Sequence, residues 1–448
     1  MSDLLDLARA ALDAAKGGEL LEAYASWGRE TEVKALAGEV ESLSSAESRG
    51  LGVRIIDGDR LGYAYAADPD PDDVAWIVEQ ARTNAALSTP DEGNVLPDPQ
   101  RAEPLAGLLL AELESTSVEE KVRMALDVER LVRAADPRVR GVDMAEYAEG
   151  IGRVAIASTA GVEAETERGD CWSVVSALAS EKGETQTGFS FALARKPSDL
   201  DLDRVAREAA ERATRLLGAE KPKTERMPVL LDPNAAASFL GVLASALTAE
   251  AVLKGRSLFA GRVGDTVASK VVQLIDDGRT LDGPGASPFD DEGVPTKRKA
   301  IIENGVLKGF LHNAYTAKRM GGSSTGNARR AGFKSTPGVA PTNLFLQPGT
   351  ESPDELMGRA GRALYVQDLI GVHSGANPIS GDFSVGVSGL IVEGGAFGRG
   401  VREAAVASTI TDILSSIVAL GNDLRFFPFG GAIGAPTVLV GEMTVAGT

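Results

Sequence analysis

The chain is poor in the residues that most enzyme chemistry draws on. Its 448 residues include one cysteine, Cys171, and two histidines, His312 and His373. A single cysteine excludes an intrachain disulfide, and at its position it reads as a small, half-buried strand residue rather than a nucleophile. A catalytic zinc site usually takes three protein ligands from His, Cys and carboxylates, and no HExxH-type pattern is present. No Gly-Lys dipeptide occurs, which removes a phosphate-binding P-loop, and Gly394-Gly395-Ala396-Phe397-Gly398 misses the dinucleotide spacing. Cationic charge is also short. Lys+Arg 46 against Asp+Glu 64 leaves a formal charge of −18, which repels nucleic-acid phosphate and anionic membrane surfaces. No apolar run approaches the roughly 20 residues that cross a bilayer, and the acidic start Met1-Ser2-Asp3 lacks a basic signal region. A cytoplasmic protein is expected.

What the chain does have is 43% hydrophobic residues, enough for sizeable cores, and a length that suggests two or three domains. Residues 2–16 read as an amphipathic helix with Ser2 as N-cap, ended by Gly17-Gly18. Alternating runs at 19–29, 31–37, 39–48, 49–56 and 60–66 predict an antiparallel meander, followed by a helix over 72–86. A proline-rich connector at 90–105 leads to a second unit. There Ser117-Val118-Glu119-Glu120 opens a helix to about Ala135 by a capping box, strands follow at 139–148, 150–158, 161–180 and 182–194, and a helix covers 199–217. Lys221-Pro222-Lys223 marks a boundary. Beyond it a strand at 227–232 and a helix at 234–252 precede strand-like segments at 259–269 and 271–276. Later helices are expected at 352–365 and 408–420, with strands at 386–393, 401–407 and 437–446. The predicted class is α+β: an antiparallel-sheet-rich N-terminal region, 1–105 and 106–222, followed by a β-rich C-terminal domain, 223–448, with a few helices.

The segment Ile301–Arg330 concentrates several signals. Asn304-Gly305 between the apolar runs 301–303 and 306–311 is the dipeptide suited to a type I′ hairpin turn. A small-residue loop, Ser323-Ser324-Thr325-Gly326-Asn327-Ala328, then ends in Arg329-Arg330. Gly322-Ser323-Ser324-Thr325-Gly326 fits G-x-S-x-G, with Asp368 and His373 following in hydrolase order. A nucleophile elbow needs a buried strand before its serine, however, and 314–320 reads as a polar helix, so a serine hydrolase is disfavoured. The carboxylates Asp290-Asp291-Glu292 are of the type used in acid–base work and have no evident partner.

Six motifs in one order give the C-terminal half a likeness. Ser287-Pro288-Phe289-Asp290-Asp291-Glu292-Gly293-Val294 is followed by Ile302–Gly309, Ser324–Arg330, Gly375–Ser384, Val392-Glu393-Gly394-Gly395 and Val418–Leu424. Together they cover nearly all of 227–448, and through them the chain resembles the TldD/PmbA family, also labelled modulators of DNA gyrase. The N-terminal half is similar in element order only. In that family the TldD-type half resembles a zinc metallopeptidase with HExxxH on the helix after the strand that opens the C-terminal domain, plus a cysteine near the C-terminus. Aligned backward from Ser257-Leu258-Phe259, those three positions fall on Leu240, Gly241 and Ser245, none of them a zinc ligand, and 426–436 offers no cysteine.

The resemblance therefore implies the other half, a TldE/PmbA-type subunit with no catalytic residues or metal of its own. Zinc is expected in a TldD-type partner, with which the chain would form a heterodimer acting on unfolded or flexible peptides. A stand-alone homodimer that binds peptides or regulates is the alternative. Asn327, Arg329, Arg330, Asp382 and Ser384 are the implied positions for substrate or partner contact, the two arginines on a carboxylate and Asp382 and Ser384 ordering a loop. A salt bridge or turn cap at a subunit interface is an equal alternative for the arginines, Asp382 and Ser384. The gyrase label implies DNA contact, against which the net charge argues.

Overall fold

The computed structural model describes residues 2–427 and 431–448, and the Ser2 side chain, expected as an N-cap, lies outside the described residues. Six long strands make one antiparallel sheet: β1 (Leu20–Leu36), β2 (Glu39–Asp57), β3 (Arg60–Ala67), β4 (Val139–Ser158), β5 (Glu163–Glu181) and β6 (Glu184–Ala194), in the order β3-β2-β1-β4-β5-β6. Segments 1–105 and 106–222 thus give three strands each to a shared sheet, joined where β1 pairs with β4. The expected breaks within 19–37, 39–56 and 139–158 do not occur. Glycines and polar residues interrupt the alternation there, but in-register neighbours carry each strand through.

One face of this sheet is covered by helices α1 (Ser2–Asp13), α2 (Val74–Leu87), α3 (Val118–Ala135) and α4 (Leu202–Thr214). Odd-numbered residues such as Leu21, Ala23, Leu51, Val53 and Tyr147 bury themselves against them. The α3 capping box forms as read, with the Ser117 side chain accepting from the Glu120 N–H. The even-numbered face carries Tyr24 and Ile156, which pack on Phe289 and Phe333 of the C-terminal domain. The sheet is therefore the middle of three layers. Successive side chains point to opposite faces, so where both layers cover a strand, as over residues 21–25 and 50–56, both of its faces are written for burial.

In the C-terminal domain, strands Ala396–Thr409, Asp382–Glu393, Arg362–Ile370, Glu225–Leu231 and Val438–Ala446 are neighbours in that order, and the last pairs back on the first through Ala405 and Ala446. That pairing closes a five-stranded barrel, with Ile417–Leu420 attached. A second sheet runs in the order Val306–Leu307, Arg298–Glu303, Leu274–Asp277, Leu344–Leu346, Ile433–Ala435 and Arg425–Phe427. Helix α5 (Pro233–Ala246) packs between barrel and sheet.

Four expectations here need correction. The helix read over 352–365 stops at Ala360, because Gly361 takes φ 67°, and the chain continues as a barrel strand. The helix read over 408–420 is only Ile410–Ser415, followed by strand Ile417–Leu420. The strand read at 259–269 is a series of turns, with Gly261 and Gly264 at φ 76° and 94° and a single bridge from Thr266 to Val306. The helix read over 234–252 is interrupted at Leu247-Thr248, where Thr248 caps a second short helix, Ala249–Leu253.

The Asn304-Gly305 turn forms with φ 50° and 79°, the conformation that a type I′ turn requires. A Cβ at Gly305 would also lie 2.3 Å from the Ala268 carbonyl oxygen. Gly305→Ala is expected to destabilise by about 2 kcal/mol or more, and Asn304→Gly by less than about 1 kcal/mol, in denaturant titrations.

Candidate functional site

Arg329, Arg330, Gly241, Ser245 and Glu292 fall at two concavities and one buried charge network. The network joins the layers. Glu22 on β1 and Arg54 on β2 are 1% and 3% exposed, and Arg54 Nη2 donates to Glu22 at 2.7 Å and to Glu292 at 3.0 Å. Arg330 reaches Glu22 from the other side, stacks over the Tyr24 ring at 4.8 Å, and donates to the Asp291 and Ser335 carbonyl oxygens. Glu292 in turn accepts from the Ala314 N–H at 2.8 Å. Two arginines and two glutamates alternate, so the burial is neutral as a whole. Asp290 accepts three backbone N–H groups, from Glu292, Val294 and Ala328. Burial and the adjacent Glu292 raise its pKa, while those N–H groups act in the opposite direction. Asp290, for which no partner was evident in the sequence, thus organises the turn at 290–294 from within. Arg54→Ala would leave Glu292 without a cation in contact, and a loss of about 3–5 kcal/mol is expected in denaturant titration.

The first concavity is a cleft of about 730 Å³ over α5. Asn234, Ala237, Ser238, Gly241, Val242 and Ser245 line it, the outward stripe of the helix. Gly241 and Ser245 thus face open space, whereas Leu240 is 0% exposed and points into the core. The cleft's possible metal donors are Asp368 and His373. Asp368 is already engaged, accepting from Arg212 at 3.3 Å and from the Ser388 hydroxyl at 3.2 Å. One exposed imidazole and one committed carboxylate do not fit zinc, and the described residues contain no group of three His, Cys, Asp or Glu placed to hold a metal ion. Ser324 does not line this cleft, and its hydroxyl donates to the His312 carbonyl oxygen, so the hydrolase letters form no triad. The Cys171 thiol is fully buried rather than half-buried, and burial pushes its pKa up. Of the segment 426–436 read for a missing cysteine, residues 428–430 lie outside the described residues.

The implied contact residues are dispersed. Asn327 is 1% exposed and bonds to Asp276, Ala340 and Thr325, which fixes the loop. Asp382 and Ser384 are exposed on a barrel strand, where Asp382 accepts from the Ser380 hydroxyl at 2.6 Å. Arg330 belongs to the buried network. Arg329 lines the second concavity, about 650 Å³, between the even face of the sheet and the C-terminal domain. Sequence reasoning missed Glu22, Arg54 and Arg168, because charged residues in alternating strands read as a solvent face.

Matches to known proteins follow this architecture. Residues 21–85, 111–217 and 224–447 match the models of PmbA/TldA metallopeptidase domain 1, central domain and C-terminal domain. The chain belongs to the PmbA/TldD metallopeptidase family. A metalloprotease of Methanocaldococcus jannaschii is 27% identical over 91% of this chain and 91% of its own length. The metalloprotease PmbA of Escherichia coli O157:H7 is 26% identical over 92% of this chain and 88% of its own. The crystal structure of TldE from Thermococcus kodakarensis shares the fold, with a TM-score of 0.91 at 24% identity over 99% of both chains.

At the start of α5, Asp232 is buried, pairs with Arg212 and accepts from the Ala235 N–H at 2.9 Å. Burial raises its pKa from 3.8 to about 6, with Arg212 opposing. A carboxyl with a raised folded-state pKa contributes stability below its unfolded pKa and loses it as pH rises through the folded value. Between pH 3.8 and about 6 this group should lower stability by about 3 kcal/mol as pH rises, a slope that Asp232→Asn removes in pH-resolved denaturant titrations.

Proposed function

We propose that this chain is the non-metal-binding, PmbA/TldE-type subunit of a peptide-processing metallopeptidase, paired with a TldD-type chain that carries the zinc. The observation that carries this reading is the outward stripe of α5. Of the three positions aligned with the two histidines and the glutamate of the family's peptidase half, Gly241 and Ser245 face a cleft of about 730 Å³ and Leu240 points into the core, so none offers a metal donor. The cleft's only candidate donors are His373 and the already engaged Asp368, as expected of a subunit that shapes a chamber for a partner's chemistry.

A second feature supports pairing. β3 covers β2 only from Gly50 to Asp57, so residues 39–48 form an open strand edge. All ten of those residues are exposed, including Val40 and Leu43 at 42% and 46%, beside Leu36 at 40%. Exposed edges with apolar side chains favour pairing with another chain. The same edge suits a second copy of this chain, so a stand-alone homodimer is the second reading.

Metal content and cleavage of an unfolded polypeptide should be measured on the full-length chain alone and with a TldD-type subunit. No stoichiometric zinc and no cleavage are expected for the chain alone, with both present in the mixture. Tightly bound stoichiometric zinc in the chain alone, or cleavage by it, would overturn the proposal. Light scattering that shows a homodimer unchanged by the TldD-type subunit would favour the second reading.

A further inference from the structure

The concavity of about 650 Å³ between the sheet and the C-terminal domain has a floor of unusual composition. In register across the sheet, Ser48 lies beside Gly28, Gly28 beside Gly152, and Gly152 beside Arg168. These residues share the even face, with Gly150 one step along β4. A Cβ placed on Gly150 or Gly152 would meet nothing within 4 Å, so no neighbour requires glycine at either position. The result is a stretch of bare backbone open to something lying across it. Glycine is the residue that admits close approach of a ligand to the main chain.

Above that floor stand two guanidinium groups from opposite walls, Arg168 on β5 and Arg329 from the C-terminal domain. Among the described residues neither side chain has an ion-pair or hydrogen-bond partner, although both are half-buried and the chain carries a net charge of −18. Residues 428–430 are Pro-Phe-Gly and bring no carboxylate. The charged neighbours on the cavity wall are otherwise disposed. Asp170 pairs with Arg195 at 2.9 Å, Glu30 is exposed, and Arg29 and Glu47 are odd-numbered and belong to the opposite face, where Glu47 accepts from the Trp27 indole N–H at 2.5 Å. Burial and the nearby Arg168 lower the pKa of Arg329, while the more distant charges of Asp291 and Asp276, neither in ion-pair contact with it, act in the opposite direction. Two arginine forks converging on one space match a planar carboxylate.

We propose that Arg168 and Arg329 bind the C-terminal carboxylate of an extended peptide whose backbone lies across Gly28, Gly150 and Gly152. This rests on the peptide-handling reading above and adds a site at which the peptide's end is read. It divides the adjacent arginines between two tasks, Arg330 holding the layers together and Arg329 meeting ligand.

Calorimetric titration of the full-length chain tests it, using an unstructured decapeptide of Gly, Ser, Ala and Val as free acid and as C-terminal amide. The free acid is expected to bind about tenfold more tightly than the amide, the effect of one charge-assisted hydrogen-bonded pair. Arg168→Gln and Arg329→Gln should each erase that preference, leave the amide's affinity unchanged, and leave the thermal midpoint equal or higher, because each removes a half-buried charge that makes no ion-pair contact among the described residues. Equal binding of acid and amide by the wild type would overturn the carboxylate site and leave the peptide-handling reading intact. Failure of both forms to bind, with or without a TldD-type subunit, would overturn both. Tight binding of inorganic phosphate that needs both arginines, with no preference for the free acid, would overturn the peptide assignment. A lowered midpoint in either variant, with the acid preference retained, would make that arginine structural and overturn its place in the site.

Discussion

Four charges without access to water fix the N-terminal sheet against the C-terminal domain. The chain of contacts Arg330–Glu22–Arg54–Glu292 starts in the C-terminal domain, crosses two strands of the sheet and returns to it. A hydrophobic interface of similar size would hold the layers with less sensitivity to register. Charges taken from water cost several kcal/mol each unless the geometry is satisfied, so this arrangement tolerates one alignment of the layers and penalises others. The concavity with Arg168 and Arg329 lies along the same interface, and its shape depends on that alignment.

The same constraint explains the composition of β1 and β2. A strand with one wet face can place charge anywhere on that face; here the even face is covered from Glu22 to Arg54, and each charge on it needs a named partner. Tyr24, between Glu22 and Ser26, serves as a surface for the Arg330 guanidinium and as part of the apolar cluster with Phe289 and Phe333. Past Arg49 the C-terminal domain no longer covers β2, and residues 39–48 are exposed throughout. One strand thus changes from core to open edge within its own length.

Legibility in the sequence followed how local each signal was. The Asn304-Gly305 turn and the Ser117 capping box were readable, because each is settled within about four residues. The α+β class followed from the clustering of strands. Strand continuity was not readable, since Gly28, Gly150 and Gly152 look like breaks until their partners in neighbouring strands are known. Barrel closure through Ala405 and Ala446 depends on residues far apart in sequence and leaves no local pattern. Gly361 could be read as a helix stop or as an internal glycine, and only its φ of 67° decides between them.

Arg329 and Arg330 show why the candidate site was less legible than the fold. As a dipeptide they are two equivalent cations at the end of a polar loop. In extended backbone consecutive side chains leave on opposite sides, so a pair of identical residues must enter two different environments. Arg330 meets Glu22, an aromatic ring and two carbonyl oxygens, and its charge is consumed by structure. Arg329 meets another arginine. Which of the two is available to a ligand depends on the residues that β1 and β5 bring to that loop, and those lie 160 positions or more away in the chain, at Arg168 and Glu22. The proposed carboxylate site rests on the arginine that has no ion-pair contact among the described residues, and only the packing of the layers distinguishes it from its neighbour.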